Sequence, residues 1–297
     1  MKVTCFLNTA AGHKRDYIRN FGLGIEKTGD TVYYHEETNY VDTDVAVIFG
    51  FKSSSVTNKM HTLRQTVFNA QKNKKIFFID SNAFKQYEKT IYHRYPFKSI
   101  FPNEAEYFTD KIDLDKWTQI KKESQIVVKD YKQGENILLL LNRGETGFST
   151  QGKNAWDWAF KTITELKKHT DRKIIIRPHK ITKNTNDEHK IIKLKETFKD
   201  VIIKSFEDES LVNSLKNTWA SVLYSTTAGL SSLIEGVPIF VTSPTSLLYK
   251  ISSGQLKDIE KPILQDRLPY LQEIAKQHWT QEEILNGTYW SLIKKHI

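Results

Sequence analysis

The sequence predicts an α/β protein with two doubly wound units, each built on a parallel sheet. Short apolar runs alternate with amphipathic segments along residues 1–112, and the same alternation begins again at residue 136. Several apolar runs end at glycine, charged or hydroxyl-bearing residues, as strands of a parallel sheet do at their ligand-binding edge. A chain of 297 residues is long enough for two domains with separate hydrophobic cores.

The first half is predicted to contain four strands and two helices. The strands are expected at residues 3–7, 31–35, 45–49 and 76–79, and the helices at residues 14–27 and 57–72. His13 lies in the first strand–helix loop, Gly50 follows the third strand and Asp80 follows the fourth. Because ligands of a doubly wound sheet gather at the carboxyl ends of its strands, His13 and Asp80 are candidate functional residues.

Residues 81–110 form an irregular segment in which aromatic residues are interleaved with Lys85, Lys89, Arg94 and Lys98. Such a mixture is typical of surfaces that stack on bases and contact phosphates. The same mixture is expected where aromatic rings seal the edge of a domain. The sequence leaves both interpretations open.

The second half repeats the order of strands and helices after residues 113–135, a polar segment predicted to be a linker or an outer helix. Strands are expected at residues 137–141, 173–176, 201–204, 220–224 and 238–241, and helices at residues 154–169, 183–198 and 208–215. Residues 136–266 are therefore predicted to form a second domain. A closing helical region, residues 267–297, is expected to pack back across the domains through Trp279, Ile284 and Trp290.

Composition excludes several classes of protein. With 39% hydrophobic and 12% aromatic residues the chain is not expected to be disordered, and its single cysteine, Cys5, excludes a disulfide framework and is predicted to be buried. No signal peptide and no run approaching the ~20 apolar residues of a membrane span is evident, so a soluble, cytoplasmic protein is expected. The 44 Lys and Arg against 35 Asp and Glu, a formal charge of +9, favour an anionic partner or simply a lysine-rich surface.

Residues 218–241 contain the clearest candidate binding site. An apolar run ends at Ser225, Thr226 and Thr227, and a helical segment follows that ends at Gly236 and leads into another strand. Hydroxyl groups at the start of a helix, together with its unpaired N–H groups and partial positive charge, suit a phosphate group. The pattern predicts a diphosphate site, with simple capping of the helix as the alternative.

Arg177 and His179 follow another buried strand of the same predicted sheet. The carboxyl ends of these strands are expected to open toward one cleft. An arginine there can pair with a phosphate in a bidentate manner, and a histidine can donate to phosphate or ribose oxygens. The combination of Arg177, His179 and the Ser225 cluster is more informative than any of these residues alone.

The second half resembles the C-terminal, donor-binding domain of GT-B glycosyltransferases, especially bacterial capsule, Kdo-transferase and teichoic-type enzymes and phage-encoded glycosyltransferases. The resemblance is carried by Tyr-Ser-Thr-Thr-Ala-Gly-Leu at residues 224–230 with Glu-Gly-Val-Pro at residues 235–238, by Arg-Pro-His at residues 177–179, and by the closing segment 277–290. It covers residues 136–297. The resemblance implies the GT-B fold, in which two Rossmann-like domains face a central cleft.

The resemblance also implies that the second domain binds a nucleotide sugar, with a UDP-sugar as the expected donor and no bound metal. The residues that match the family's donor-binding motifs are Arg177, His179, Ser225, Thr226, Thr227, Gly229 and Glu235.

The chain departs from the family's pattern at two positions. Many members have a carboxylate for the donor ribose two residues after the motif glycine, where this chain has Ser231, and Glu235 one turn later is the candidate for that contact. Lys180 replaces the proline of the family's His-Pro pair.

The first domain, residues 1–112, is expected to hold the acceptor and a general base for its hydroxyl group. His13, Asp80 and Asp16 are the candidate bases, and each is also compatible with a capping or solvated loop residue. The basic charge, the aromatic and cationic stretch Phe84–Lys98, and the basic residues Lys14, Arg15 and Arg19 favour 5-hydroxymethylcytosine in DNA as the acceptor, as in phage-encoded enzymes acting in the host cytoplasm.

Other functions remain open on the sequence alone. The alternative acceptor is a cell-surface glycan or a lipid-linked sugar, in which case the basic residues would contact the anionic groups of the lipid or polysaccharide. Outside the transferases, the alternatives are a non-catalytic nucleotide-sugar-binding protein, a sugar-nucleotide epimerase and a plain DNA-binding protein.

Overall fold

A computed structural model describes residues 1–51, 59–71, 75–142, 154–179 and 187–297. The described chain forms two compact units. The first contains the described residues of 1–125 together with 268–297, and the second contains those of 126–267. The boundary between Gln125 and Ile126 falls within the predicted linker, but the helix Lys116–Glu123 of that segment belongs to the first unit.

The first unit is built on a six-stranded sheet. Its strands are β1 (Lys2–Phe6), β2 (Thr31–His35), β3 (Val45–Phe49), β4 (Ile76–Ser81), β5 (Tyr92–Arg94) and β11 (His278–Thr280). The strand order is β11-β5-β4-β3-β1-β2. The four predicted strands are parallel, as expected, whereas β5 is antiparallel to β4 and β11 is antiparallel to β5. The two antiparallel strands were absent from the prediction because each has only three residues and no periodic pattern.

Helices cover both faces of this sheet. They are α1 (Lys14–Glu26), α2 (Lys59–Ala70), α3 (Lys116–Glu123), α8 (Leu268–Ala275), α9 (Gln281–Leu285) and α10 (Thr288–Ile293). Val45 and Val47 of β3 belong to a core cluster with residues of α1, α9 and α10, whereas Ala46 and Ile48 belong to a cluster with α2. Since successive strand residues point to opposite faces, α1 and α2 lie on opposite sides of the sheet.

The C-terminal segment is part of the first unit's core. Trp279, Ile284 and Trp290 are each 1% exposed and share a cluster with Phe21 of α1 and Phe77 of β4, which confirms their expected burial. Each such indole removes about 150–250 Å² from water. Residues 268–297 therefore complete the fold that residues 1–125 begin.

The aromatic segment 81–110 is mostly interior. Phe84, Tyr92, Tyr95, Phe97, Tyr107 and Phe108 are buried. Of the interleaved cations, Arg94 is also buried, whereas Lys85, Lys89 and Lys98 are exposed. Of the two interpretations of this segment, burial favours rings that seal the domain, because rings inside the core are not available to stack on bases.

The second unit contains a five-stranded parallel sheet. Its strands are β6 (Asn136–Leu140), β7 (Ile174–Arg177), β8 (Ile202–Ile203), β9 (Thr218–Leu223) and β10 (Ile239–Val241), and its helices are α4 (Ala155–Leu166), α5 (Glu188–Thr197), α6 (Leu211–Leu215) and α7 (Gly229–Ile234). The strand order is β10-β9-β6-β7-β8 with every pair parallel. This is the order of a Rossmann-type sheet.

The predicted elements of the second unit are all present, with ends shifted by a few residues. The predicted helix starts at residues 57 and 183, Lys180, and the predicted loop at residues 143–150 lie outside the described residues. Cys5 of the first unit is fully buried, as predicted, and burial raises the pKa of its thiol.

Candidate functional site

The second sheet brings three strand ends to one level. Leu140 of β6 is in register with Arg177 of β7 on one side and with Leu223 of β9 on the other. The strand order reverses between β6 and β9: β7 and β8 are added on one side of β6, and β9 and β10 are then added on its other side. In doubly wound sheets the crevice at this reversal, beyond the carboxyl ends of the strands, is where ligands bind.

Asn142 and Ser225 join the two strands that flank this crevice. Asn142 Nδ2 donates to Ser225 Oγ at 2.8 Å, and the Ser225 backbone N–H donates to Asn142 Oδ1 at 3.2 Å. Asn142 is 6% exposed. Sequence reasoning missed this residue, although a polar side chain directly after a buried strand was a usable sign of it.

The hydroxyl residues after Ser225 do not cap a long helix. The residue that precedes α7 is Ala228, and Thr226 Oγ1 accepts a hydrogen bond from its backbone N–H at 3.3 Å. Ser225 is bonded to Asn142 instead. Because α7 has only six residues, its dipole is small, and a ligand at this edge would depend on the side chains and loop N–H groups.

The guanidinium group of Arg177 is fixed by two hydrogen bonds to the segment that contains Glu209 and Ser214. Its Nη1 donates to Ser214 Oγ at 2.9 Å and its Nη2 donates to the Glu209 carbonyl at 2.8 Å. Ser214 in turn donates to the Glu209 carboxylate at 2.8 Å. Burial lowers the pKa of Arg177, and the carboxylate of Glu209 opposes that shift. His179 lies two residues beyond Arg177 and is half-buried.

Gly229 and Glu235 occupy opposite ends of α7. A Cβ at Gly229 would lie 2.7 Å from Leu223 Cδ2 and 2.8 Å from Leu248 Cδ1, so the glycine lets these two leucine side chains pack against the start of the helix. Glu235 follows the C-terminal end of α7, is buried, and forms an ion pair with Lys129. The structure therefore places Glu235 away from the helix end that carries Ser225.

An indole lies at the same edge of the second sheet. Trp158 Nε1 donates to Thr242 Oγ1 at 2.9 Å, and its ring meets that of Tyr224 edge-on with centroids 6.2 Å apart. Thr242 follows β10 and Tyr224 precedes Ser225. Trp158 is half-buried and was not identified from the sequence, because its position on α4 resembles that of any core-facing residue.

The first unit has its own reversal of strand order, between β1 and β3. The Phe49 N–H donates to Thr9 Oγ1 at 3.1 Å across it. Arg64, only 8% exposed, donates to the Thr9 carbonyl at 2.8 Å and to the Phe51 carbonyl at 3.2 Å. It forms no ion pair with the residues that the structure describes, and burial lowers its pKa to about 10. Arg64 thus ties together the two loops that line this crevice.

The three predicted bases have different surroundings. His13 is exposed just before α1, and its ring meets Tyr17 edge-on. Asp16 is exposed and lies 3.7 Å from Arg19. Both oxygens of Asp80 are engaged: Oδ2 accepts from the buried Arg94 at 2.5 Å and Oδ1 accepts from the Ser81 N–H at 2.8 Å.

His93 is a further titratable group at this edge that sequence reasoning missed. It pairs with Ser81 across β4 and β5, is 7% exposed, and lies against Tyr17 with ring centroids 4.2 Å apart. Burial lowers its pKa to about 4, whereas Asp80 acts in the opposite direction. His93 is therefore a neutral imidazole at neutral pH. It was missed because β5 is too short to be predicted.

The described residues contain no group of three or more His, Cys, Asp or Glu side chains placed to hold a metal ion. Two Asp-x-Asp sequences occur, at residues 42–44 and 113–115. Asp44 directly precedes β3 and so lies at the amino edge of the first sheet, and Asp115 caps α3. Neither lies at the carboxyl edge of a sheet, where ligands of doubly wound sheets bind. Within the described ranges, no helix has the length and apolar composition of a membrane span.

No protein-family model and no curated protein sequence matches the chain. Solved structures do. The beta Kdo 2,7 transferase of KpsC from Thermosulfurimonas dismutans is 12% identical, with a TM-score of 0.51, over 100% of this chain and 99% of that chain. The beta Kdo 2,4 transferase of the same KpsC gives a TM-score of 0.48 at 12% identity, over 93% of this chain and 90% of that one.

A UDP-GlcNAc 2-epimerase from Methanocaldococcus jannaschii is also similar, with a TM-score of 0.35 at 12% identity and full coverage of both chains. At 12% identity, the first of these similarities shows a shared fold. The chain has the GT-B-type fold of two Rossmann-like units, which confirms the predicted fold class and the resemblance to Kdo-transferase-type enzymes. The resemblance to phage-encoded DNA glycosyltransferases stays a prediction.

Proposed function

We propose that the protein is a glycosyltransferase that moves a sugar from a nucleotide-sugar donor to a hydroxyl group. The observation that carries this proposal is the Asn142–Ser225 pair at the strand-order reversal of the second sheet, with Arg177 at the end of the adjacent strand and His179 two residues later. The pair lies in a chain whose whole length follows the fold of a sugar transferase.

In the proposed donor site, Ser225, Thr226 and Thr227 bind the diphosphate together with the amide of Asn142. Arg177 and His179 offset the negative charge that develops on the leaving phosphate. The half-buried indole of Trp158 offers a surface on which the nucleobase stacks. A UDP-sugar is the expected donor. Glu235 is left out of this site, because its carboxylate pairs with Lys129 beyond the other end of α7.

In the proposed reaction, the acceptor hydroxyl oxygen forms a bond to the anomeric carbon while the bond from that carbon to the phosphate oxygen breaks. The nucleotide leaves with the bonding electrons, and a base takes the hydroxyl proton. We assign acceptor binding to the first unit and keep His13 and Asp80 as the candidate bases, followed by Asp16. If His13→Ala and Asp80→Ala both retain near-normal turnover, neither residue is the base.

The proposed acceptor is 5-hydroxymethylcytosine in DNA. We would measure nucleotide release from UDP-, GDP-, CMP- and CDP-linked sugars, each with and without duplex DNA that contains 5-hydroxymethylcytosine. Release from one donor only when the modified DNA is present supports the full proposal and identifies the nucleotide. Nucleotide release or donor binding that does not depend on the DNA would support a glycosyltransferase whose acceptor is a cell-surface glycan. If the protein binds none of these donors, the proposal that it is a glycosyltransferase is wrong.

We also propose that the transfer needs no metal ion, because Arg177 and His179 supply the positive charge at the phosphate. Turnover is then unchanged by EDTA. A loss of activity with EDTA that Mg²⁺ or Mn²⁺ restores would contradict this part of the proposal and leave the rest intact.

A further inference from the structure

His93 presents one fixed hydrogen-bond donor at the carboxyl edge of the first sheet. Its Nδ1 lies 3.4 Å from the side-chain amide nitrogen of Gln281, which also donates to Tyr95 Oη at 3.1 Å. The amide oxygen of Gln281 accepts from Asn20 at 3.0 Å, and this contact fixes the orientation of the amide. Since an amide nitrogen only donates, Nδ1 of the neutral imidazole accepts and the proton lies on Nε2. No hydrogen bond from His93 Nε2 to another described residue is present.

Basic side chains add positive charge to the surroundings of this imidazole. Burial is the main cause that lowers the pKa of His93, and Lys14, His13 and Lys85 lower it further through their positive charge. The side chains of these three residues are exposed. Neither Lys14 nor Lys85 forms an ion pair within the described part of the chain, and the Lys14 ammonium lies 5.3 Å above the ring of Phe49.

The negative charge nearest this group is already balanced. Asp80 acts electrostatically on His93, but its carboxylate is paired with the buried guanidinium of Arg94 at 2.5 Å. Its second oxygen accepts from the Ser81 N–H. The edge therefore offers an N–H donor and cations, and the charge of its carboxylate is balanced by Arg94.

The start of α1 adds no unpaired backbone donors here. The N–H groups of Lys14, Arg15 and Asp16 donate to the carbonyls of residues 11, 12 and 13. A ligand at this edge would therefore be held by side chains.

We propose that His93 and Lys14 bind a phosphodiester group of a nucleic acid acceptor; Lys14 lies over Phe49, whose ring centroid is 6.4 Å from that of His93. The inference rests on the proposed function, since it assigns residues of the first unit that hold the backbone of the proposed acceptor. A neutral N–H donor together with an ammonium group complements a phosphate oxygen and its charge. Because the charge of Asp80 is balanced by Arg94, the charge left at this edge is positive, which favours an anionic phosphate over a neutral glycan.

The first test is binding of a fluorescent single-stranded oligonucleotide in the absence of donor, measured by anisotropy at several salt concentrations. Lys14→Ala is expected to weaken binding about fivefold or more and to reduce the slope of log affinity against log salt by about one. Lys27→Ala is the matched control, because this exposed lysine follows the other end of α1 and removes the same charge. Its effect is expected to stay below twofold.

Equal effects of Lys14→Ala and Lys27→Ala would overturn the proposal, since they would show binding to the general positive surface. So would the absence of oligonucleotide binding. If a free sugar acid binds in a Lys14-dependent manner and the oligonucleotide does not bind, the site belongs to an acidic glycan and the proposal is wrong. Because no donor is present, failure of the transferase proposal leaves this binding result unaffected, and the two failures are distinguishable.

The second test examines His93 directly by long-range ¹H–¹⁵N correlation on ¹⁵N-histidine-labelled protein at pH 7. The expected spectrum is that of a neutral imidazole protonated at Nε2, and the oligonucleotide is expected to shift its Nε2 resonance. Gln281→Leu removes the contact at Nδ1 and is expected to allow the other tautomer. A charged His93 imidazole in the free protein, or a His93 Nε2 resonance that does not shift when the oligonucleotide is added, would contradict the role of His93 as a donor to the phosphate.

Discussion

At the scale of single residues, partners rather than position decide what a side chain can do. Asp80 and His93 lie at the same edge of one sheet, on neighbouring strands. Asp80 satisfies both oxygens with Arg94 and a backbone N–H, whereas His93 keeps one nitrogen without a described partner. Asp80, which was predicted from the sequence, therefore has more hydrogen-bond partners at this edge than His93, which was not.

We expect His93 to make folding stability depend on pH. Burial lowers its pKa from 6.5 to about 4, with a contribution of the opposite sign from Asp80. Below pH 6.5 the imidazole is protonated in the unfolded chain, whereas in the folded protein it is protonated only below about pH 4. The contribution of His93 to the free energy of unfolding is therefore fully present above pH 6.5 and is lost as the pH falls from 6.5 to about 4. At pH 5 this imidazole should remove about 2 kcal/mol of stability.

Urea unfolding at pH 7.5 and pH 5, on the wild type and on His93→Gln, measures this contribution. The difference in unfolding free energy between the two pH values should be about 2 kcal/mol smaller in the variant. Identical pH dependence in both proteins would show that His93 is not held neutral in the folded state.

Asn142 should be important for donor binding and dispensable for folding. Asn142→Ala removes both hydrogen bonds to Ser225, and we expect it to weaken UDP binding about tenfold, since one well-placed polar contact is worth about 1.4 kcal/mol. Isothermal titration calorimetry measures the affinity. Asn217→Ala is the control, because Asn217 precedes β9 at the opposite edge of the same sheet. Equal losses of affinity in both variants would argue against Asn142 as a donor contact.

At the scale of elements, α1 and α9 pack at backbone distance. A Cβ at Gly24 would lie 1.9 Å from the carbonyl oxygen of Ile284. The sequence shows an ordinary helix there, and glycine inside a helix is unfavourable by about 1 kcal/mol relative to alanine. Only the close approach of the second helix explains why glycine is required.

Gly24→Ala is therefore expected to destabilise the first unit by more than about 2 kcal/mol despite the gain in helix propensity. Gly22→Ala on the same helix is the matched comparison, because its Cβ would meet the side chain of Tyr34, which can move, and not a backbone atom. Thermal unfolding of both variants decides the matter. A Gly24→Ala protein as stable as the Gly22→Ala protein would contradict the close packing.

At the scale of the whole molecule, the first unit depends on both ends of the chain. β11 adds a strand to its sheet, and Trp279, Tyr289 and Trp290 fill its core. The buried Lys116 on α3 bonds to both carboxylate oxygens of Glu283 on α9, at 2.6 and 2.7 Å. The second unit, in contrast, is continuous in sequence among the described residues.

Truncation should separate the two units accordingly. Residues 126–267 are expected to unfold cooperatively as an isolated fragment, whereas residues 1–125 alone should not fold, because they lack the C-terminal strand and indoles. Joining residues 1–125 to residues 268–297 through a short glycine-serine linker should restore a folded unit. Circular dichroism during heating measures this, and a cooperative transition in residues 1–125 alone would contradict the prediction.

The sequence by itself determined the elements that have a clear period. The four parallel strands of the first unit and the β9–α7–β10 order of the second follow from apolar runs that end at punctuating residues. It also identified Ser225 and Arg177, because both directly follow or end buried strands. Their roles stay proposals.

The tertiary structure alone decided the rest, because those features depend on contacts between residues distant in sequence. β5 and β11 are strands only because each completes the hydrogen bonds of an edge supplied by another part of the chain. Asn142 meets Ser225, and Gln281 fixes His93, across separations of 83 and 188 residues. No local pattern encodes such a meeting, so the partners that give these side chains their chemistry appear only in the folded chain.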